Sequence, residues 1–107
     1  MKRLALALIA LTLMATPVAA QNLIAIGYQQ LTSLSSATAL TPVSGAREAL
    51  IICTGQTIMW RDDGTNPTAS IGMPLPINTP FPYIGSLARI KLIETAASAS
   101  CNVSYYQ

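Results

Sequence analysis

Short apolar or alternating runs, separated by turn residues, are the feature that most constrains this chain. After residue 20 no segment keeps a helical period, whereas strand-length runs recur between Gly, Pro, Asn and Asp, which is typical of β-strands. The pattern predicts an all-β fold, a single small antiparallel β-sandwich of the jelly-roll-like kind. The predicted strands cover residues 22–26, 28–32, 49–54, 56–61, 70–73, 87–94 and 102–106.

Alternation within these runs predicts which side chains face the core. In the last run Cys101, Val103 and Tyr105 share one face, because successive side chains of a strand point to opposite sides. In the run before it, Ile90 and Leu92 share a face. The run "ALIIC" at residues 49–53 is apolar on both faces, which predicts a central strand.

The first twenty residues have the order of a secretory signal peptide. Lys2 and Arg3 precede an apolar run at residues 4–14, and Val-Ala-Ala ends at Ala20, where we expect cleavage. The apolar run is shorter than the roughly 20 residues that a membrane span needs. We therefore expect a signal peptide at residues 1–20, a β-sandwich domain at 21–107, and a periplasmic or secreted protein.

Charge restricts the partners of the predicted mature chain. Removing 20 residues from 107 leaves 87, with four basic and four acidic side chains and a net charge of zero. Such a chain has no basic surface for nucleic acid or for an anionic membrane. Weak charge repulsion between copies fits a homo-oligomer or the subunit of a particle.

Cys53 and Cys101 are the two cysteines of the sequence. Export to an oxidising compartment and an even count predict a disulfide bond between them. The alternative is a pair of buried free thiols. Redox catalysis is disfavoured because the two do not form a C-x-x-C pair.

The segment at residues 73–85 contains four prolines. Proline cannot donate a hydrogen bond to a neighbouring strand, so we expect an edge strand or a surface loop here. Apolar side chains alternate with the prolines and predict a contact surface. The candidate contact residues are Trp60, Leu75, Ile77, Phe81 and Tyr83.

Residues that carry catalysis are nearly absent. The sequence has no histidine, which removes Ser-His-Asp and Cys-His catalysis and the usual transition-metal ligand sets. Asp62 and Asp63 are adjacent and would point to opposite sides of an extended strand. We therefore expect no enzyme, no catalytic residue, no cofactor and no metal ligand.

The stretch "WRDDGTNPTASIGMPL" at residues 60–75 is the most distinctive in the chain. We interpret it as a hairpin whose first strand ends near Arg61 and whose return strand reaches Gly72. Asp62, Asp63, Gly64 and Pro67 are its structural turn, since these residue types suit turns. A calcium site that uses the two aspartates remains the open alternative.

The segments "REALIICTGQTIMWRDDGTNPTASIGMPL" and "YIGSLARIKLIETAASASCNVSYYQ" together resemble small virion structural proteins of tailed bacteriophages and prophages. The resemblance covers about residues 22–107 and depends on the elements WRDDG and NVSYY. It implies a β-sandwich particle component without known catalysis. Such relatives usually lack a signal peptide and carry a leucine at the position of Cys101, so both departures predict adaptation to the outside of the cytoplasm.

Two functional hypotheses follow. The first is an exported, non-enzymatic structural protein that self-assembles or decorates a particle. The second is a secreted module that binds a carbohydrate or surface polymer through Trp60, Tyr83 and nearby loops.

Overall fold

Eight β-strands form the regular structure of residues 22–107, the part of the chain that the computed structural model describes. The signal peptide predicted at residues 1–20 lies outside these residues. In chain order the strands are β1 (Ala25–Leu31), β2 (Thr38–Ala39), β3 (Glu48–Thr54), β4 (Ile58–Arg61), β5 (Met73–Leu75), β6 (Phe81–Tyr83), β7 (Lys91–Glu94) and β8 (Ser100–Tyr106).

The strands form two antiparallel sheets, with the order β1-β8-β3-β6 in sheet 1 and β2-β7-β4-β5 in sheet 2. Strands pair from the two ends of the chain inward: β1 with β8, β2 with β7, β3 with β6, and β4 with β5. This long ribbon is curled, so that β3 also pairs with β8 and β4 with β7. Two four-stranded sheets wound in this way form a jelly roll, which confirms the predicted fold class.

The core lies between the two sheets and follows the predicted alternation. Cys101, Val103 and Tyr105 of β8 are buried, and Ile51 and Cys53 of β3 lie beside them. β3 is central in sheet 1, between β8 and β6, as its doubly apolar sequence predicted. Sheet 2 closes the core from the other side with Ile58 and Leu92, together with Ile90 immediately before β7, and all three are fully buried.

A disulfide bond joins Cys53 of β3 to Cys101 of β8. The two cysteines are direct partners across the pair of strands, and neither is accessible to solvent. The predicted bridge is therefore confirmed. The bond lies within sheet 1 and covalently links β3 and β8, the two strands that pair because the ribbon curls.

β1 differs from prediction because it runs unbroken through Gly27. The register against β8 shifts between Ala25 and Gly27, a β-bulge that absorbs one extra residue without ending the strand. Val43 packs over Gly27, where an added Cβ would lie 2.8 Å from the valine Cγ1. The two strands predicted at 22–26 and 28–32 are therefore one.

β5 begins at Met73 rather than at Ser70 as predicted. Thr68 N–H donates to the Ile71 carbonyl at 2.9 Å, and Ile71 N–H donates back at 3.2 Å. This local turn uses the backbone groups that a longer strand would need. The hairpin between β4 and β5 forms as predicted, but residues 62–72 make a longer connection.

β7 is also shorter than the strand predicted at 87–94. The Ser86 carbonyl accepts hydrogen bonds from the Arg89 and Ile90 N–H groups at 3.1 and 3.3 Å. These bonds form a turn immediately before Lys91, where the strand begins.

The two strands that were not predicted, β2 and β6, both lie at the edge of a sheet. β2 has two residues, and β6 has three with Pro82 at its centre. β5 is also an edge strand and contains Pro74. The proline-rich segment therefore supplies edge strands, as expected, because an edge leaves room for a residue without N–H.

We expect the disulfide bond to contribute a large share of the stability. Its cysteines are 48 residues apart, and loop-closure entropy for that length corresponds to about 4 kcal/mol. The double variant Cys53→Ala/Cys101→Ala should lose about this much free energy of unfolding in urea titrations. In the native wild type the buried sulfurs should resist reductant, so alkylatable thiols without denaturant would contradict the structure.

Candidate functional site

The loop after β4 is organised by an ion pair at its start. Arg61 donates to Asp63 from Nε to Oδ1 at 3.0 Å and from Nη2 to Oδ2. The hydrogen bond from Arg61 lowers the pKa of Asp63 to about 2. Thr65 N–H also donates to Asp63 Oδ1 at 3.3 Å, which is the geometry of an Asx turn. Because the pair is exposed, it shapes the loop more than it stabilises the fold.

Asp62 connects this loop to the opposite sheet. The Tyr83 hydroxyl of β6 donates to Asp62 Oδ2 at 2.7 Å. Burial raises the pKa of Tyr83 to about 12, and the bond to Asp62 adds to the effect. Gly85 leaves room for this contact, because a Cβ there would overlap the tyrosine hydroxyl.

The middle of the loop is held against sheet 2. Lys91 Nζ donates to Asn66 Oδ1 at 2.9 Å, and Pro67 is buried. Gly64 has a φ of +88°, a conformation that residues with a side chain resist. Asp62, Asp63, Gly64 and Pro67 therefore each have a structural position in the turn.

The two aspartates point to different partners, Asp62 to Tyr83 and Asp63 to Arg61. Within residues 22–107 no group of three His, Cys, Asp or Glu side chains is placed to hold a metal ion. A calcium ion needs six or more oxygen ligands, which is more than the two aspartates can supply.

The predicted contact surface is wrong in part. Leu75 and Tyr83 are 4% and 6% exposed and belong to the core. Each directly follows a proline, Pro74 or Pro82, that lies on the exposed side of its edge strand. Since side chains alternate along a strand, the residue next to each exposed proline points inward.

Trp60 and Phe81 are half-buried, and they form a cluster with Tyr83 that joins the two sheets. The ring centroids of Trp60 and Phe81 are 4.9 Å apart, and those of Trp60 and Tyr83 are 6.1 Å apart. Trp60 thus packs against the core. Ile77, 45% exposed, is the one member of the predicted surface that is neither buried nor half-buried.

A different apolar surface lies at the end of sheet 1 near the two ends of the described chain. It surrounds a depression of about 320 Å³. Ile84 and Leu23 are its most exposed members, at 76% and 47%. We call this surface the end patch; its residues are Leu23, Leu50, Pro82, Ile84 and Tyr106, and the same depression is also lined by Glu48 and by the buried Ala49 and Tyr83.

The end patch was not predicted, although one signal for it was present. Leu50 belongs to the run that is apolar on both faces, and in the structure it lies on the outer face of sheet 1, opposite Ser104. Arg47 and Glu48, of opposite charge, line an adjoining depression of about 400 Å³ together with Leu23 and Ile84. Apolar surface with charges at its margin is the usual composition of a protein interface.

No protein-family model matches the chain, and no curated protein or solved structure is significantly similar to it. Within the described residues, no helix is long and apolar enough to cross a membrane.

The turn interpretation predicts the order of two substitutions. Gly64→Val should cost about 1 kcal/mol of unfolding free energy or more, because valine resists the positive φ. Asp63→Ala should cost less, since it removes exposed local hydrogen bonds. Melting curves with EDTA and with excess Ca²⁺ test both. A calcium-dependent rise in wild-type melting temperature that Asp63→Ala abolishes would instead identify a binding site.

The raised pKa of Tyr83 predicts a loss of stability in alkali. A tyrosine whose folded pKa lies above its unfolded value near 10 stabilises the fold fully below pH 10. That contribution is lost as the pH rises from about 10 to about 12. Tyr83→Phe should therefore reduce the fall in unfolding free energy over this pH range. Part of the fall should remain, because burial also raises the pKa of Tyr105.

Asp62→Asn provides the matched comparison. It keeps an acceptor for the tyrosine hydroxyl but removes the charge. Burial is the largest cause of the Tyr83 shift, so Asp62→Asn should retain most of the alkaline decline. An equal flattening in the two variants would mean that Asp62 dominates instead.

Proposed function

We propose that this chain is an exported, non-enzymatic structural protein of the phage virion type, which self-assembles or decorates a larger particle. The end patch is the observation that carries the proposal. A small domain that exposes adjoining apolar side chains marks a protein contact. Zero net charge in residues 21–107 leaves little repulsion between copies.

The fold and the disulfide bond support the same proposal. Jelly rolls serve as viral capsid domains and also as lectins, so the fold alone does not choose between assembly and sugar binding. A disulfide bond fits an oxidising compartment, in agreement with the proposed signal peptide. We therefore propose a location in the periplasm or outside the cell.

The carbohydrate-binding alternative depends on Trp60 and Tyr83. Trp60 stacks against Phe81, and Tyr83 is buried with its hydroxyl bound to Asp62. A sugar platform needs an open aromatic face, and neither ring offers one freely. Assembly is therefore the better-supported function.

Expression of the full-length chain in a bacterium tests export and assembly together. Protein recovered from the periplasm or the medium should begin at Gln21 by intact mass. Light scattering after size exclusion should show an oligomer, and negative-stain images should show particles or filaments. Ile84→Asp should weaken association by about tenfold or more, because burying an isoleucine contributes at least about 1.5 kcal/mol.

Ile71→Asp is the matched control. Ile71 is also an exposed isoleucine, at 57%, but it lies outside the end patch, in the loop before β5 beside sheet 2. It should leave the oligomer intact. Full-length chain found only in the cytoplasm would contradict export, and a monomer at all concentrations would contradict assembly. A monomer that binds a glycan array would favour the alternative.

A further inference from the structure

The open edge of β1 sets it apart from the other edges of the jelly roll. Of the four edge strands in the described residues, β2 has two residues, and β5 and β6 have three each with a central proline. β1 has seven residues, with neither proline nor charge. Short strands, prolines, charges and bulges are means by which proteins prevent edge-to-edge pairing; β1 has only the last of these, the bulge between Ala25 and Gly27 near its start.

The backbone groups that face this edge can be identified from the ladder. Ile24 and Gln107 exchange both of their N–H···O bonds at 3.0 Å. Because such bonding alternates along an antiparallel strand, Tyr105, Val103 and Cys101 also bond toward β1. Their partners are Gly27, Gln29 and Leu31. The N–H and C=O groups of the residues between them, Tyr28 and Gln30, therefore point to the open edge.

The bulge limits the part of this edge that can pair. It distorts the strand between Ala25 and Gly27, which leaves a regular stretch of five residues that ends at Leu31. Gln29 is the centre of that stretch. A second β1 laid antiparallel on it, with Gln29 opposite Gln29, would use the whole regular stretch and avoid the bulge.

We propose that β1 pairs edge to edge with β1 of a second copy of this chain, which forms a two-fold dimer with one continuous eight-stranded sheet. Tyr28 of each copy lies opposite Gln30 of the other. Each such pair exchanges two N–H···O bonds, so that four bonds form across the axis. This proposal rests on the proposed assembly function and identifies one contact in it.

The side chains on both faces of β1 fit this pairing. On the outer face Tyr28 is 66% exposed, and both Tyr28 and Gln30 donate hydrogen bonds to Asn102 Oδ1. These bonds fix the two side chains that would meet their counterparts in the second copy. No charge approaches a like charge, since β1 has none.

On the inner face, the side chain of Gln29, at the centre of the proposed pairing, is also held by hydrogen bonds. Gln29 Oε1 accepts hydrogen bonds from the Tyr105 hydroxyl at 2.6 Å and from the Thr41 N–H at 3.0 Å. Gln29 Nε2 donates to Thr41 Oγ1 at 3.1 Å. The residue on the proposed two-fold axis is therefore already ordered in the single chain, which reduces the entropy lost on pairing.

The dimer leaves the end patch free. β1 and β6 are opposite edges of sheet 1. The patch contains residues of β3, β6 and β8 together with Leu23, and Leu23 lies before the bulge, outside the stretch of β1 that would pair. A two-fold contact closes by itself at two subunits, so a larger assembly needs a second contact. The β1 edge and the end patch would supply two such contacts on one small subunit.

Hydrogen exchange of the wild-type mature protein over a range of concentrations tests the pairing directly. The amides of Tyr28 and Gln30 should become protected as the light-scattering mass rises from monomer to dimer. The amides of Gln29 and Leu31 should be protected at every concentration, because they bond to β8. Protection of Tyr28 and Gln30 in a monomer would mean that another segment covers the edge, and would overturn the proposal.

The variants Gln30→Pro and Gln30→Ala form a matched pair. Both lose the side-chain bond to Asn102, but only proline removes the N–H that faces the edge, at a position where an edge strand tolerates it. Gln30→Pro should weaken dimerisation at least about tenfold relative to Gln30→Ala, since two of the four bonds are lost. Melting temperatures show whether both variants fold, and if proline prevents folding the exchange experiment decides.

The outcomes separate this proposal from the proposed function. Assembly that Ile84→Asp disrupts and Gln30→Pro does not, with freely exchanging Tyr28 and Gln30 amides, overturns the β1 pairing and leaves the structural function in place. A dimer that Gln30→Pro dissociates, without any larger assembly, supports the pairing and counts against the particle function.

Discussion

The pairing between β3 and β8 is the contact on which the rest of the jelly roll depends. It contains seven residue pairs, from Glu48 with Tyr106 to Thr54 with Ser100. It brings together residues that are 46 to 58 positions apart in the chain and so carries a large loop-closure entropy. The bond between Cys53 and Cys101 limits that entropy in the unfolded chain. Once β3 and β8 are joined, β6 and β1 have edges on which to pair, and sheet 2 has a surface to cover.

Local alternation was enough to predict much of this fold. The inward side of β8 followed from an unbroken period of two, the central position of β3 from a run that is apolar on both faces, and the disulfide bond from the even number of cysteines and the expected export. The missed features are those in which long-range pairing overrides local signals. Gly27 suggested a break, but β8 carries β1 across it with a bulge. β2 is too short for any period, and the prolines around Phe81 concealed β6.

The candidate site shows how a conspicuous motif differs from an available surface. The polar groups of WRDDG are concentrated in sequence, yet Asp62, Asp63 and Arg61 are bound to partners within the chain. The end patch combines residues from both ends of the described chain with residues of two strands between them. These residues are far apart in the sequence, and only the pairing of the strands brings them together, so no local sequence pattern could predict the patch. Leu75 and Tyr83 were predicted to be exposed because they lie in a proline-rich segment. In each strand the proline is on the exposed side, and the residue after it points into the core.

The position of β8 also governs when the chain can fold. β8, between β1 and β3 in sheet 1, is the last of the eight strands in chain order, so β1 and β3 have no common neighbour until residues 100–106 have been made. Nearly all pairings join distant parts of the chain, which makes early structure costly. The native pairings of sheet 1 that involve β8 therefore cannot form before residues 100–106 have been made. For the exported protein that we propose, this order of pairing would keep the chain unfolded during passage through a narrow secretion channel.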